Sequence, residues 1–157
     1  MGFFNKPDTP AAALAPLSNE RIKAALEAQS WRYHVDEDGE VNGGWEDGFF
    51  YFLTRGQQSE IFYVRGTWYG KLPEAAYAHA QQVCSDWNEE TLWPKTYARR
   101  TDEGEVRVHV EHTVDYEYGL TDQQLQQHLV TVINTGSQFF GKLNETFPEA
   151  AAAYKSE

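Results

Sequence analysis

Five histidines, one cysteine and 24 carboxylates are the side chains of this 157-residue chain that could do chemistry. Their spacing argues against catalysis and against a metal centre. His109 and His112 stand three apart in an alternating segment, which places them on opposite faces of a strand where they cannot share a zinc ion. Cys84 falls on the apolar side of a helical stretch, with no base beside it, and reads as a small buried thiol. Asp36, Asp38, Glu40 and Asp47 occupy places one, three, five and twelve of a calcium-loop count. Place six is Val41 where glycine is needed for the sharp bend, and the flanks alternate as strands, so a solvated hairpin turn explains them better. Asp115 with Glu117 reads as a strand edge in water rather than an acid–base pair. Gly43-Gly44 reads as a loop without the following helix that a phosphate cradle requires, and no nucleophile elbow or dinucleotide fingerprint occurs. No catalytic residue, metal or cofactor is expected.

What remains is a surplus of rings and a few well-placed cations. Aromatic residues make up 15% of the chain, enough to serve a binding surface as well as a core. Trp45, Phe50, Phe52, Trp68 and Trp93 are the candidates for a surface that holds a protein partner, with a place in the core the competing reading for each. The alternative function is a small-ligand sensor. Its aromatic-lined pocket would lie between sheet and helices, with Arg65, Tyr97 and Arg99 orienting the ligand.

The elements that must position these residues are organised around one long stretch. Val106, Val108, Val110, Val114 and Tyr116 share one parity, and Arg107, His109, Glu111, Thr113 and Asp115 the other, as in a half-buried antiparallel strand. Gly119 ends the strand, and Thr121 with Gln124 forms a capping box. Leu125, Leu129, Val132, Ile133, Gly136, Phe139, Phe140 and Leu143 then follow at helical spacing up to Pro148. Gly136 within that stripe points to close packing on a neighbour.

Upstream, Ser18 caps a short helix carrying Ile22, Ala25 and Leu26, and Trp31–Val35 alternates as a first strand. Trp45–Leu53 is apolar on both parities, so each face of this second strand needs cover. Ile61–Tyr69 is the third strand, with Gly66 expected at a bulge. A second helix starts at Leu72-Pro73-Glu74 and shows Ala76, Ala80, Val83, Cys84 and Trp87 on one side; a fourth strand follows at Thr96–Thr101. The expected order is α-β-β-β-α-β-β-α. That is an α+β domain over residues 17–148 with an antiparallel sheet of about five strands, flanked by a Pro/Ala-rich tail, 1–16, and a C-terminal tail, 149–157.

A net charge of −11 disfavours nucleic acid and anionic membranes as partners. No apolar run is long enough to span a bilayer, and the N-terminal apolar patch is broken by Pro16 and lacks the basic region of a signal peptide. A cytoplasmic location is the expectation.

Five segments, SWRYHVDEDGE, WEDGFFYF, VRGTWYGKLP, WNEETLWPKTY and VDYEYGLTDQQLQQHL, resemble the YbjN family of small bacterial proteins, described as sensory transduction regulators. The most specific parts are Trp87-Asn88 with Trp93-Pro94-Lys95, and Gly119-Leu120-Thr121 with Gln124-Leu125. The resemblance implies a fold similar to type III secretion chaperones, a homodimer, and a non-catalytic regulatory or chaperone-like role in holding an as yet unknown protein partner. It carries over no functional residues.

Overall fold

The computed structural model describes residues 13–157. Helix α1 (Asn19–Ala28) begins at Ser18, whose hydroxyl accepts from the Arg21 N–H, and it buries Ile22, Ala25 and Leu26. A short hairpin follows, β1 (His34–Val35) with β2 (Val41–Gly44). Its turn is held by the Asp36 carboxylate, which accepts from the backbone N–H of Asp38 at 3.1 Å and of Glu40 at 2.8 Å. Asp36 is thereby spent on the turn, in the manner of an Asx-turn.

Gly43 and Gly44, expected as a loop, belong to β2 and pair with Phe50 and Phe49 of β3 (Gly48–Arg55). Glycine is there for contact: a Cβ on Gly43 would meet the Trp45 ring at 3.1 Å. Next comes β4 (Ile61–Trp68), which runs through Gly66 in unbroken register, Phe50↔Gly66 and Gly66↔Val110, so the expected bulge is absent. Its small size admits the Phe50 ring, which a Cβ on Gly66 would approach to 2.5 Å.

Leu72-Pro73, expected to open a helix, instead pairs with Val106 and Glu105 as a two-residue strand, β5. A 3-10 turn over Glu74–Ala76 leads into α2 (Tyr77–Glu90). Then β6 (Lys95–Arg100) and β7 (Glu105–Asp115) form a hairpin, and α3 (Asp122–Thr146) starts at the expected capping box. The residues that α3 buries are the eight of the predicted stripe. Residues 149–157, expected as a tail, begin inside a further helix, α4 (Pro148–Lys155), whose Ala151 is buried and whose Tyr154 hydroxyl reaches Asp47 at 2.8 Å. Of the expected N-terminal tail, 1–16, residues 1–12 lie outside the described residues, while Ala15 bridges to Leu120; Leu17, expected to open the domain, is buried.

The fold is α+β, and the described residues form one antiparallel sheet of seven strands. Arg65 and Lys95 both partner Glu111, and Leu72 and Arg100 both partner Val106, so β5 resumes the β4 side of β7 while β6 takes the other. One parity of the sheet, including Phe50, Phe52, Phe62, Val64, Trp68, Val106, Val108 and Val110, joins buried residues from each of α1, α2, α3 and α4 in a single core. Each such large side chain contributes about 1.5–3 kcal/mol relative to exposure. Among the described residues, the helices therefore all lie on one face. No described helix lies over the other face of the sheet.

Candidate functional site

The cross-strand register arranges the helix-free face in rows. One row runs Tyr51, Arg65, Glu111, Lys95 across β3, β4, β7 and β6; the next runs Phe49, Thr67, His109, Tyr97. Beyond it, Arg107 and Arg99 stand opposite each other. Period-two alternation puts all of these on the side away from the core.

Glu111 is the hub. One carboxylate oxygen accepts the hydroxyls of Tyr63 and Tyr97, each at 2.7 Å, and the other takes the Lys95 ammonium at 2.6 Å. Burial works against its charge, but the three donors more than offset this and hold its carboxyl below the usual range. Reciprocally, burial and the bond to Glu111 push the Tyr63 phenol up to about 12, and Tyr97 rises for the same reasons. This carboxylate is consumed within the face.

The cations are not. Among the described residues, Arg21, Lys23, Arg55, Lys95, Arg100 and Lys155 are ion-paired, whereas Arg32, Arg65, Lys71, Arg99, Arg107 and Lys142 have no carboxylate partner, and of these Arg65, Arg99 and Arg107 stand on this face. The Arg65 guanidinium lies 6.0 Å from the centre of the Tyr51 ring. Arg107 donates to the Trp68 carbonyl at 3.2 Å, while its Nε is buried without a partner. His109 sits among the three, with Nδ1 2.9 Å from the Thr67 hydroxyl and its ring 5.1 Å from that of Tyr97. Burial first, then Arg65, Arg107 and Arg99, push His109 down to about 4, so it is neutral at pH 7 in a locally positive field.

The candidate residues divide accordingly. Arg65, Tyr97 and Arg99 come together on this face, but not in a pocket between sheet and helices, because that space is filled by the core. Phe50, Phe52 and Trp68 have no exposed area and cannot contact a partner; their parity faces the helices. Trp45 is half-buried in the turn after β2, its ring folded edge-on to Phe50 at 5.3 Å and Phe52 at 5.8 Å. Trp93 lies in the loop before β6 and is exposed beside Leu92. Sequence reasoning placed Arg107, His109 and Glu111 on the water side, weighed His109 only as a metal ligand, and missed Tyr63 and Thr67. The signal was parity in each strand. What joins them is register, which parity does not supply.

Among the described residues no three His, Cys, Asp or Glu side chains are grouped to hold a metal ion. The motif residues have structural duties. Asn88 acts as a surrogate strand for the β6 edge, donating to the Thr96 carbonyl at 3.0 Å and accepting the Thr96 N–H at 2.9 Å. Trp87 packs on Phe139 with ring centres 5.0 Å apart.

A search of curated proteins with the sequence finds no match. Among solved structures, the chain is similar to YbjN, described as "a putative transcription regulator from E. coli", with a TM-score of 0.73 at 11% identity over 85% of this chain and 96% of that one. At that identity the likeness concerns the fold. A lesser likeness is to a chain of the ExoT–SpcS complex from Pseudomonas aeruginosa, with a TM-score of 0.45 and 14% identity over 75% of this chain and 92% of that one. Residues 18–145 match the YbjN family, "Putative bacterial sensory transduction regulator", a span that takes in α1, every strand and all but the last residue of α3. The chain belongs to the YbjN family.

Proposed function

We propose that this chain is a non-catalytic, cytoplasmic regulatory module that docks a protein partner on the helix-free face of its sheet. One observation carries the reading. Among the described residues all the helices lie on one side, and the other side presents half-buried Phe49, Tyr51, Tyr63, Arg65 and Tyr97 across neighbouring strands. Tyrosine, phenylalanine and arginine are the residue types enriched where proteins meet. The family description supports a regulator rather than an enzyme. No helix among the described residues is long and apolar enough to cross a membrane. The homodimer implied by the family resemblance belongs to the same proposal, and sedimentation of the purified chain measures it.

The small-ligand reading has weaker support. A cleft of about 580 Å³ opens between β5, α2 and α4, but its lining includes Leu72, Ala76, His79, Phe147 and Ala150, and neither Arg65, Tyr97 nor Arg99 reaches it. The test is photo-cross-linking in cells, with a photoreactive amino acid placed at Phe49 or Tyr97 and, for comparison, at the exposed Gln127 of α3. Discrete adducts from the two sheet positions alone are expected. Adducts only from α3, or none from the sheet, would sink the docking-face reading.

A further inference from the structure

We propose that Arg65, Arg99 and Arg107, grouped around His109, form an anion subsite that receives the carboxylates of an acidic, aromatic-bearing segment of a protein partner. This rests on the docking-face reading and gives that face its chemistry.

The chain carries a net charge of −11, yet three guanidiniums without a carboxylate partner among the described residues collect on one patch of sheet. Arg99 and Arg107 face each other directly across β6 and β7. Like charges in direct cross-strand opposition destabilise a sheet, and an anion lying against both removes that penalty. Glu111 cannot supply it, since both of its oxygens are engaged by Tyr63, Tyr97 and Lys95. Arg107 adds a buried Nε–H with nothing to donate to. A buried donor on a charged group is costly when unmatched, and a carboxylate satisfies a guanidinium through two parallel N–H bonds. Burial is the first cause that keeps His109 neutral, and the positive field of Arg65, Arg107 and Arg99 that adds to it attracts the same ligand.

The form of the surface selects the ligand's source. Small molecules are held in concave sites, and this is the open face of a sheet. Around the cations stand the rings of Phe49, Tyr51, Tyr63 and Tyr97, which suit side chains of an apolar or aromatic kind. Nucleic acid would have to approach against the repulsion of the whole acidic chain. A segment that alternates carboxylates with rings matches both features.

The test uses the full-length protein, with the arginine Nε–Hε signals followed by NMR at low salt. The probes are a short acetylated peptide alternating Asp/Glu with Phe/Tyr, its Asn/Gln counterpart, inorganic phosphate and a single-stranded DNA oligonucleotide. The acidic peptide is expected to shift Arg65, Arg99 and Arg107 saturably and to weaken as salt is raised. The double variant R65Q/R107Q is expected to bind it about tenfold more weakly or worse, while Lys23→Gln on α1 leaves binding unchanged. Should the double variant fold poorly, Arg99→Gln on the exposed edge gives the same readout. Equal binding of the Asn/Gln peptide would overturn the anion subsite and leave the docking face standing; silence from both peptides would remove the two together. Tighter binding of phosphate or of the oligonucleotide at these residues would overturn the carboxylate assignment. So would shifts of the same signals with protein concentration alone, because a second copy would then occupy the face.

Discussion

Acidification below pH 6.5 should destabilise this protein, and His112 is the residue through which this can be measured. The residue is 6% exposed on the helix-facing side of β7, with Nε2 2.9 Å from Nδ1 of His128 on α3. Burial, and then the neighbouring His128 ring, push it down from 6.5 to about 4. Between those two values the unfolded chain binds a proton on His112 that the folded chain refuses. Stability is therefore fully present above pH 6.5 and falls as the pH is lowered towards 4. The linkage relation for that pair of values gives a loss of about 2 kcal/mol at pH 5, rising to roughly 3 kcal/mol near pH 4. His128 and His109 are also lowered and act in the same direction. Asp47 and Glu111 are held below the carboxylate range, so their contributions are lost only at still lower pH. The assay is urea unfolding at pH 7 and pH 5 on the wild type and on His112→Gln. The wild type should lose stability between the two conditions, and the variant should lose about 2 kcal/mol less. Equal stability of the wild type at both pH values, or an undiminished loss in the variant, would refute the reasoning.

Two substitutions probe the packing of α3 on the sheet. Gly66→Ala drives a Cβ to 2.5 Å from the Phe50 ring and 2.7 Å from Val110, and a loss of about 2–3 kcal/mol is expected. Gly136→Ala meets the same ring at 3.0 Å, but a helix-propensity gain of about 1 kcal/mol opposes the crowding, so its melting temperature should stay much closer to wild type. Asn88→Ala leaves the Thr96 N–H and carbonyl without their partner. It should cost about 1–3 kcal/mol and speed hydrogen exchange at the Thr96 amide, with the amides of β3 unaffected; unchanged exchange at Thr96 would show that Asn88 does not hold this edge.

Features that depend on local periodicity and capping could be read from the chain alone. The α3 stripe, its Thr121–Gln124 box, the Ser18 cap and the two parities of β7 were all legible, because a helix or strand that buries one face must repeat at its own period. Cys84 was legible as core, and its thiol is indeed buried and pushed up to about 11. Tertiary structure decided the rest. Phe50, Phe52 and Trp68 could not be told from surface rings, since an aromatic strand reads alike whichever face is covered, and only the packing of four helices on one side assigned them to the core. Leu72-Pro73 has the composition of a helix start, yet strand pairing with β7 outweighs that local preference. Residues 149–155 carry too short an apolar pattern to announce a helix; Tyr154 fixes it through Asp47 and Asn144. The candidate site shows the same division. Parity placed each of Arg65, Tyr97, Arg107, His109 and Glu111 on one side of its own strand. Register between strands distant in sequence brought them to one patch, and register is set by long-range pairing that no local window contains.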